Sequence, residues 1–297
     1  MQGQNLRVVH RKELDTARWE SLIASDPSAS LYQTIWYQDL ITDGDWYAVV
    51  SDDYDAAMPF ALIRKGFGRL LAIDTVVNPL LIQRSIVLPC SKSYYLRDFM
   101  RFLERNFRQI NLKVEHHKTT EIDAKSLQNH TINLEGDAEI VTQNYNRNTR
   151  RNIKSALESG VTIEKTDDVE ATMKLLIAHD ETGLVGKNNT MLKNLIATSI
   201  RNEQGYLLRA VAQNEMCGVG FFINYNRRVY FLLCASNDIG IKLKAMYALI
   251  DYAVKLSVGG FDVFDFTGSN IDSIARRNLS FGAEVEVYDI INFSKWF

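Results

Sequence analysis

The sequence predicts a mixed α/β (α+β) protein of two tandem lobes, each a mixed, mostly antiparallel sheet flanked by helices. Three observations carry this. The 297 residues, 46% of them hydrophobic, exceed one ordinary domain of about 100–200 residues. Short apolar runs of strand length alternate with amphipathic stretches of helix length along the whole chain. The order of elements in the second half repeats that of the first. The expected lobes are 1–140 and 141–297, with the last strand placed between them.

In the first half, LRVV (6–9) reads as a strand, and DTARWESLIAS as a helix that stops before Asp26-Pro27. A short helix, TIWYQDLI, follows. The strands WYAVVS and AAMPFALIRK are joined by the acidic turn DDYD, and GFGR introduces LLAIDTVVNPLLIQ. YYLRDFMRFLERNF places Leu96, Phe99, Met100 and Leu103 on one side of a helix. The strand INLKVEHH comes next, and TINL (131–134) is expected to add an edge.

The second half opens on a helix at 144–158, then VTIEK, then helices over DVEATMKLLIAHDET and 190–202. GYLLRAVAQ, CGVGFFINY and VYFLLCAS form a meander with the turns NEM and NRR. The helix KLKAMYALIDYAVKL leads to the strand FDVFDF. A strand–helix–strand crossover of that length requires a parallel pair. A helix, IDSIARRNL, and a strand, EVEVYDIINF, end the chain.

Charge and cysteine usage narrow the function classes. With 34 Lys+Arg against 36 Asp+Glu, the net charge is −2, so no global basic field can hold DNA or another polyanion non-specifically. Any such contact must come from a local patch. Cys90, Cys217 and Cys234 are far apart and lie in or beside apolar runs, which reads as buried free thiols in a reducing cytoplasm. The N-terminal stretch lacks a basic-then-apolar signal pattern, and no apolar run approaches the ~20 residues of a membrane span.

One local patch exists. In NYNRNTRRNIKSALESG (144–160), the bases Arg147, Arg150, Arg151 and Lys154 fall within about a third of the helix circumference. Thr149, Ile153, Ala156 and Leu157 lie opposite, and Gly160 is placed to end the helix. A solvated surface helix and an anion site are both open on this pattern. Guanidinium forks match phosphate oxygens, and three of these four bases are arginine. A second stretch, FDVFDFTGSNIDSIARRNLSFGAEVEVY (261–288), runs a strand into the turn Gly268-Ser269-Asn270, where Ser269 or Asn270 can cap the next helix and free backbone N–H groups for a ligand.

Together these two stretches resemble Fem-type aminoacyltransferases and the related acyltransferases of the GNAT superfamily. There, an arginine-rich helix precedes G-V-x-I/V at the start of the second lobe, and an fDF-x-G-S … FG segment ends it. The resemblance covers 144–283 by motif and the first 140 residues by architecture. It implies two GNAT-like lobes and transfer of an acyl or aminoacyl group to an amine acceptor, either a small molecule or a cell-wall precursor. Direct attack would need no covalent enzyme intermediate. The donor substrate would be an acyl-CoA or an aminoacyl-tRNA, with no tightly bound cofactor. On this reading Arg147, Arg150, Arg151, Lys154, Gly240 and Lys242 hold donor phosphates, and Gly268, Ser269 and Asn270 form a substrate-binding turn. Two positions depart from the family. Asn278 stands where a lysine that stabilises the reacting carbonyl is usual. The loop ASNDIGIKLKA keeps Gly240 of the coenzyme A pyrophosphate motif but flanks it with Asn237 and Lys242.

Asp265, near the end of FDVFDF, and Asp238, at the mouth of the crossover, are the preferred general bases, with Asn278 as the third catalytic candidate. His116 and His117 point to opposite faces of a strand, and His179-Asp180-Glu181 lacks metal-ligand spacing, so no metal is expected. Tyr145, Tyr32, Trp36 and Tyr37 read as packing aromatics. Two further readings remain: a GNAT-like binding protein without activity, and an RNA-binding module that uses the basic helix 144–158.

Overall fold

The computed structural model describes residues 5–65, 73–89, 94–115, 124–180, 183–268 and 271–295. Cys90, His116, His117, Glu181, Ser269 and Asn270 therefore lie outside the described residues. The chain forms two compact units. The first comprises Met1–Leu127 with Val287–Phe297, and the second Gln128–Glu286. The division thus falls at 127/128 rather than 140/141, and the last strand returns to the first unit.

Strand β1 (Leu6–His10) opens the first unit, followed by α1 (Thr16–Ser25), α2 (Ile35–Thr42), β2 (Tyr47–Ser51), β3 (Ala57–Lys65), β4 (Ile73–Val77), α3 (Tyr94–Asn106) and β5 (Gln109–Glu115). Helix α1 starts where the Asp15 carboxylate accepts the Arg18 N–H at 3.1 Å, a side-chain cap of the usual type. It buries Trp19 edge-on to Trp46, with ring centroids 5.5 Å apart. Helix α3 buries Leu96, Phe99, Met100 and Leu103, the four residues its periodicity selects, against Ile110, Leu112 and Val114 of β5.

The chain then enters the second unit: β6 (Ala124–Asn133), α4 (Ala138–Gln143), α5 (Arg147–Glu158), β7 (Thr162–Thr166), α6 (Val169–Ala178), α7 (Leu184–Lys187), α8 (Asn189–Arg201), β8 (Gly205–Ala212), β9 (Glu215–Tyr225), β10 (Arg228–Ser236), α9 (Asp238–Lys242), α10 (Ala245–Ser257), β11 (Val263–Asp265) and α11 (Asp272–Ser280), ending on β12 (Glu284–Ser294). Its core joins Ile153 and Ala156 of α5, Leu249 and Val254 of α10, and the sheet residues Phe222, Phe231 and Phe264. The turns Gln213-Asn214 and Asn226-Arg227 take left-handed backbone, as tight hairpins require.

Both units share one plan. In the first, β1, β2, β3 and β4 pair antiparallel in turn, β4 pairs parallel with β5 across α3, and β12 lies antiparallel to β5. In the second, β7, β8, β9 and β10 pair antiparallel, β10 pairs parallel with β11, and β6 lies antiparallel to β11. The sixth strands are exchanged. The strand that follows β5 in the chain completes the second unit, and the strand that ends the chain completes the first. TINL is thus the end of a ten-residue strand that pairs with β11, not a short edge.

Candidate functional site

The parallel pair of the second unit forms a fork. Strand β10 is in register with β11 only over Arg228–Tyr230 against Val263–Asp265, yet β10 continues to Ser236. Among the described residues, no strand pairs with that side of β10 beyond Tyr230. Leu232 and Leu233 are half-buried there and Cys234 is exposed, in contrast to the buried Cys217. An unpaired strand edge is a row of backbone donors and acceptors that an extended ligand can complete.

What parts the strands is Asp265. It is 1% exposed, and its Oδ1 accepts the Thr267 N–H at 2.7 Å, turning the chain into left-handed backbone at Thr267 and Gly268. The Thr267 hydroxyl then donates to the Phe231 carbonyl at 2.8 Å, sealing the apex. Asn129 of β6 donates to the same Oδ1 at 3.0 Å, while Arg228 holds Oδ2 at 2.7 Å and reaches Glu286 at 3.2 Å. Burial alone would lower the Arg228 guanidinium, but Asp265 and Glu286 outweigh it and hold its pKa raised. With both oxygens engaged, Asp265 fixes the fork. Three donors thus hold the carboxylate in place: Asn129, the Thr267 N–H and Arg228.

At the mouth, β10 runs into α9. Asn237 caps that helix: its Oδ1 accepts the Gly240 N–H at 2.9 Å, and its carbonyl accepts the Ile241 N–H at 2.9 Å. Two N–H groups of the expected pyrophosphate nest, those of Gly240 and Ile241, are therefore taken by Asn237. Gly240 has another use, because a Cβ there would stand 2.0 Å from the Cys217 carbonyl. Its missing side chain lets α9 press on β9. Asp238 and Lys242 are exposed beside it, and Asp238 is the candidate carboxylate whose oxygens face solvent.

The two stretches singled out in the sequence meet at the start of α5. The Asn146 N–H donates to the Ser280 carbonyl at 3.0 Å, and the Thr149 hydroxyl donates to the same carbonyl at 3.0 Å. Phe281 packs edge-on against Tyr145 at 5.0 Å and stacks on Tyr247 at 5.7 Å. Gly282, at φ +73, lies so close to Asn144 that a Cβ would fall 2.7 Å from its carbonyl oxygen. The FG turn is thus a docking joint for α5. Asn278, on the preceding turn of α11, is 1% exposed and accepts from the Arg277 guanidinium at 3.3 Å. Helix α11 starts at Asp272, directly after Ile271.

All four bases of α5 are exposed, with Thr149, Ile153 and Ala156 buried opposite them. Leu157, expected on the buried side, is 53% exposed. Arg147, Arg150 and Arg151 crowd the N-terminal turns, where the helix dipole disfavours cations, and no acid offsets them in the first turn. The four do not act as one cluster. Arg151 donates to Asn148 at 2.6 Å, Lys154 sits 3.6 Å from Glu158, and only Arg150 and Lys154 line a groove shared with α4 and α10. Tyr145, Tyr32 and Tyr37 are buried and Trp36 half-buried, as packing aromatics. Among the described residues, no three His, Cys, Asp or Glu side chains are placed to hold a metal, and no helix is long and apolar enough to cross a membrane.

This architecture is the Fem-type fold, two units of one plan in a single chain. FemX matches 95% of the chain and 96% of its own length with a TM-score of 0.62 at 10% identity. The C-terminal domain of a candidate lysylphosphatidylglycerol synthetase from Agrobacterium fabrum gives a TM-score of 0.57 at 11% identity, over 95% of this chain and 92% of that one. L-PGS from Bacillus licheniformis gives 0.51 at 11% identity, again over 95% and 92%. No protein-family model matches the sequence, and no curated protein matches it.

Proposed function

We propose that the protein is an N-acyltransferase that moves an aminoacyl group from an aminoacyl-tRNA to an amine acceptor, in the fork of the second unit. The observation that carries this is the β10 edge from Leu232 to Ser236, with which no strand pairs among the described residues. An extended acyl-bearing arm laid along it would complete the sheet and bring its carbonyl to backbone donors. Direct attack by the acceptor amine then needs a positioned carbonyl and a group to take the proton. Asp238, exposed where β10 ends, is the carboxylate for that step, and Asp265 positions the edge.

The choice of donor follows from the occupied loop. A coenzyme A pyrophosphate would draw on N–H groups of this loop, and Asn237 already holds those of Gly240 and Ile241. A tRNA donor needs no pyrophosphate nest, and the exposed Arg147 and Arg151 offer contacts to its backbone. The test incubates the full chain with radiolabelled aminoacyl-tRNA and an amine acceptor, beside acetyl-coenzyme A, and follows label transfer and thermal stability together. Transfer from tRNA, with no stabilisation by acetyl-coenzyme A, is expected. A donor held at 100 times its Kd stabilises by about 2.7 kcal/mol. Stabilisation by acetyl-coenzyme A overturns the donor, and tRNA binding without transfer makes the protein a binding module.

A further inference from the structure

Between α4, α5 and α10 lies a groove of about 470 Å³ that shares no residue with the fork. That volume is in the range of small-molecule sites. Its floor is Ile153, Leu157 and the ring of Tyr145. The Tyr145 hydroxyl sits by the Asp251 carboxylate. Burial, reinforced by Asp251, pushes the phenol well above its ordinary pKa, so it remains a donor at any physiological pH.

The charges lining the groove decide what it can hold. Arg150, Lys154 and Lys255 face Glu139, Glu158 and Asp251, so the lining is balanced and does not favour a phosphate-bearing carrier. Four of these charges pair within the wall: Lys255 with Asp251 at 2.8 Å, and Lys154 with Glu158 at 3.6 Å. The remaining two, Arg150 on α5 and Glu139 on α4, are exposed and, among the described residues, have no ion-pair partner, not even each other. A cation on α5 and an anion on α4, in one groove with an apolar residue left uncovered at Leu157, fit a small zwitterion with an apolar body.

We propose that this groove is a binding site for a free α-amino acid with an apolar side chain. Arg150 takes the carboxylate, Glu139 takes the ammonium, and Ile153 and Leu157 cover the side chain. The site explains why Leu157 is left outside the core and why Arg150 is set on a helix N-terminus that disfavours it.

Calorimetry on the full chain tests this with L-leucine, leucinamide, N-acetyl-leucine and inorganic phosphate. L-leucine should bind, and each analogue that lacks one charge should bind at least about tenfold more weakly, the scale of one charge-assisted hydrogen bond. Phosphate should not bind. Arg150→Gln and Glu139→Gln should each cost about tenfold in leucine affinity, with the unfolding temperature unchanged because both side chains are exposed. No heat with leucine at millimolar concentration, equal binding of the charge-lacking analogues, or phosphate binding that depends on Arg150 each overturns the proposal. Since no donor is present, failure here leaves the transfer reaction untouched, and failure of transfer leaves the groove untouched.

Discussion

The two units follow one order of strands and helices, but their parallel pairs part in opposite senses. In the first unit the fourth strand gives out: β4 ends at Val77 while its partner β5 runs on to Glu115. In the second unit the fifth strand gives out, and β10 is the one left over. The first unit covers its surplus edge with its own chain. Ser85 donates to the Lys113 carbonyl at 2.8 Å and accepts from Glu115 at 3.2 Å, while Asn78 takes both the N–H and the C=O of Lys113. Only the second unit leaves its surplus strand without such a cover among the described residues. Two units of one plan thus differ in which edge they leave open, through which strand of the parallel pair is shorter.

The roots of the two parallel pairs differ as well. In the first unit it is neutral, Thr75 donating to Gln109 at 3.0 Å; in the second it is the Arg228–Asp265–Glu286 network. Arg228→Met should have the largest effect, about 3–5 kcal/mol of stability, because it strands the buried Asp265 carboxylate. Denaturant unfolding checks it, and adding Asp265→Asn should recover most of the loss. If the single variant costs no more than about 1 kcal/mol, the root is not ionic in the sense described. Gly240→Ala comes next, at about 3 kcal/mol, since the new methyl meets the Cys217 carbonyl and α9 must move. Tolerance of that variant would return Gly240 to the phosphate-binding role suggested by its motif. Asn78→Ala should cost about 2 kcal/mol and speed amide exchange at Lys113 and Glu115, uncovering in the first unit the kind of edge the second leaves open. Unchanged exchange there would mean that Ser85 alone seals it.

Much of this was legible along the chain, for a physical reason. Helix α3 shows its buried face by period, and the β10–α10–β11 crossover follows from length alone. The sequence shows only the last residues of β6, because Lys125, Ser126, Gln128, Asn129 and His130 break the apolar alternation that marks a strand. The buried Asn129 amide is held by Asp265, 136 residues away, and by Glu286, 157 residues away. Distance also hid Arg228 and Glu286, which no local spacing links to Asp265. The exchanged sixth strands were unreadable, since β6 and β12 carry no mark of which unit each will complete. Leu157 lies at the margin of the apolar arc of α5, where period cannot distinguish core from groove wall.

The smallest effect isolates the second unit. His130 of β6 is fully buried, and among the described residues neither ring nitrogen has a hydrogen-bond partner. Burial lowers its pKa below the ordinary value of 6.5. In the unfolded chain His130 takes a proton as pH falls through about 6.5, while the folded chain resists until lower pH. Between the lowered value and 6.5 the unfolded state binds more protons, so stability falls as pH drops through that window and is complete above it. His130→Leu removes the titrating group and should flatten this limb of the stability profile below about pH 6.5. Exchange measured at single amides should show the flattening in β6 and β11 and not in β4 and β5. A limb that keeps its slope in the variant would place the acid sensitivity outside the second unit.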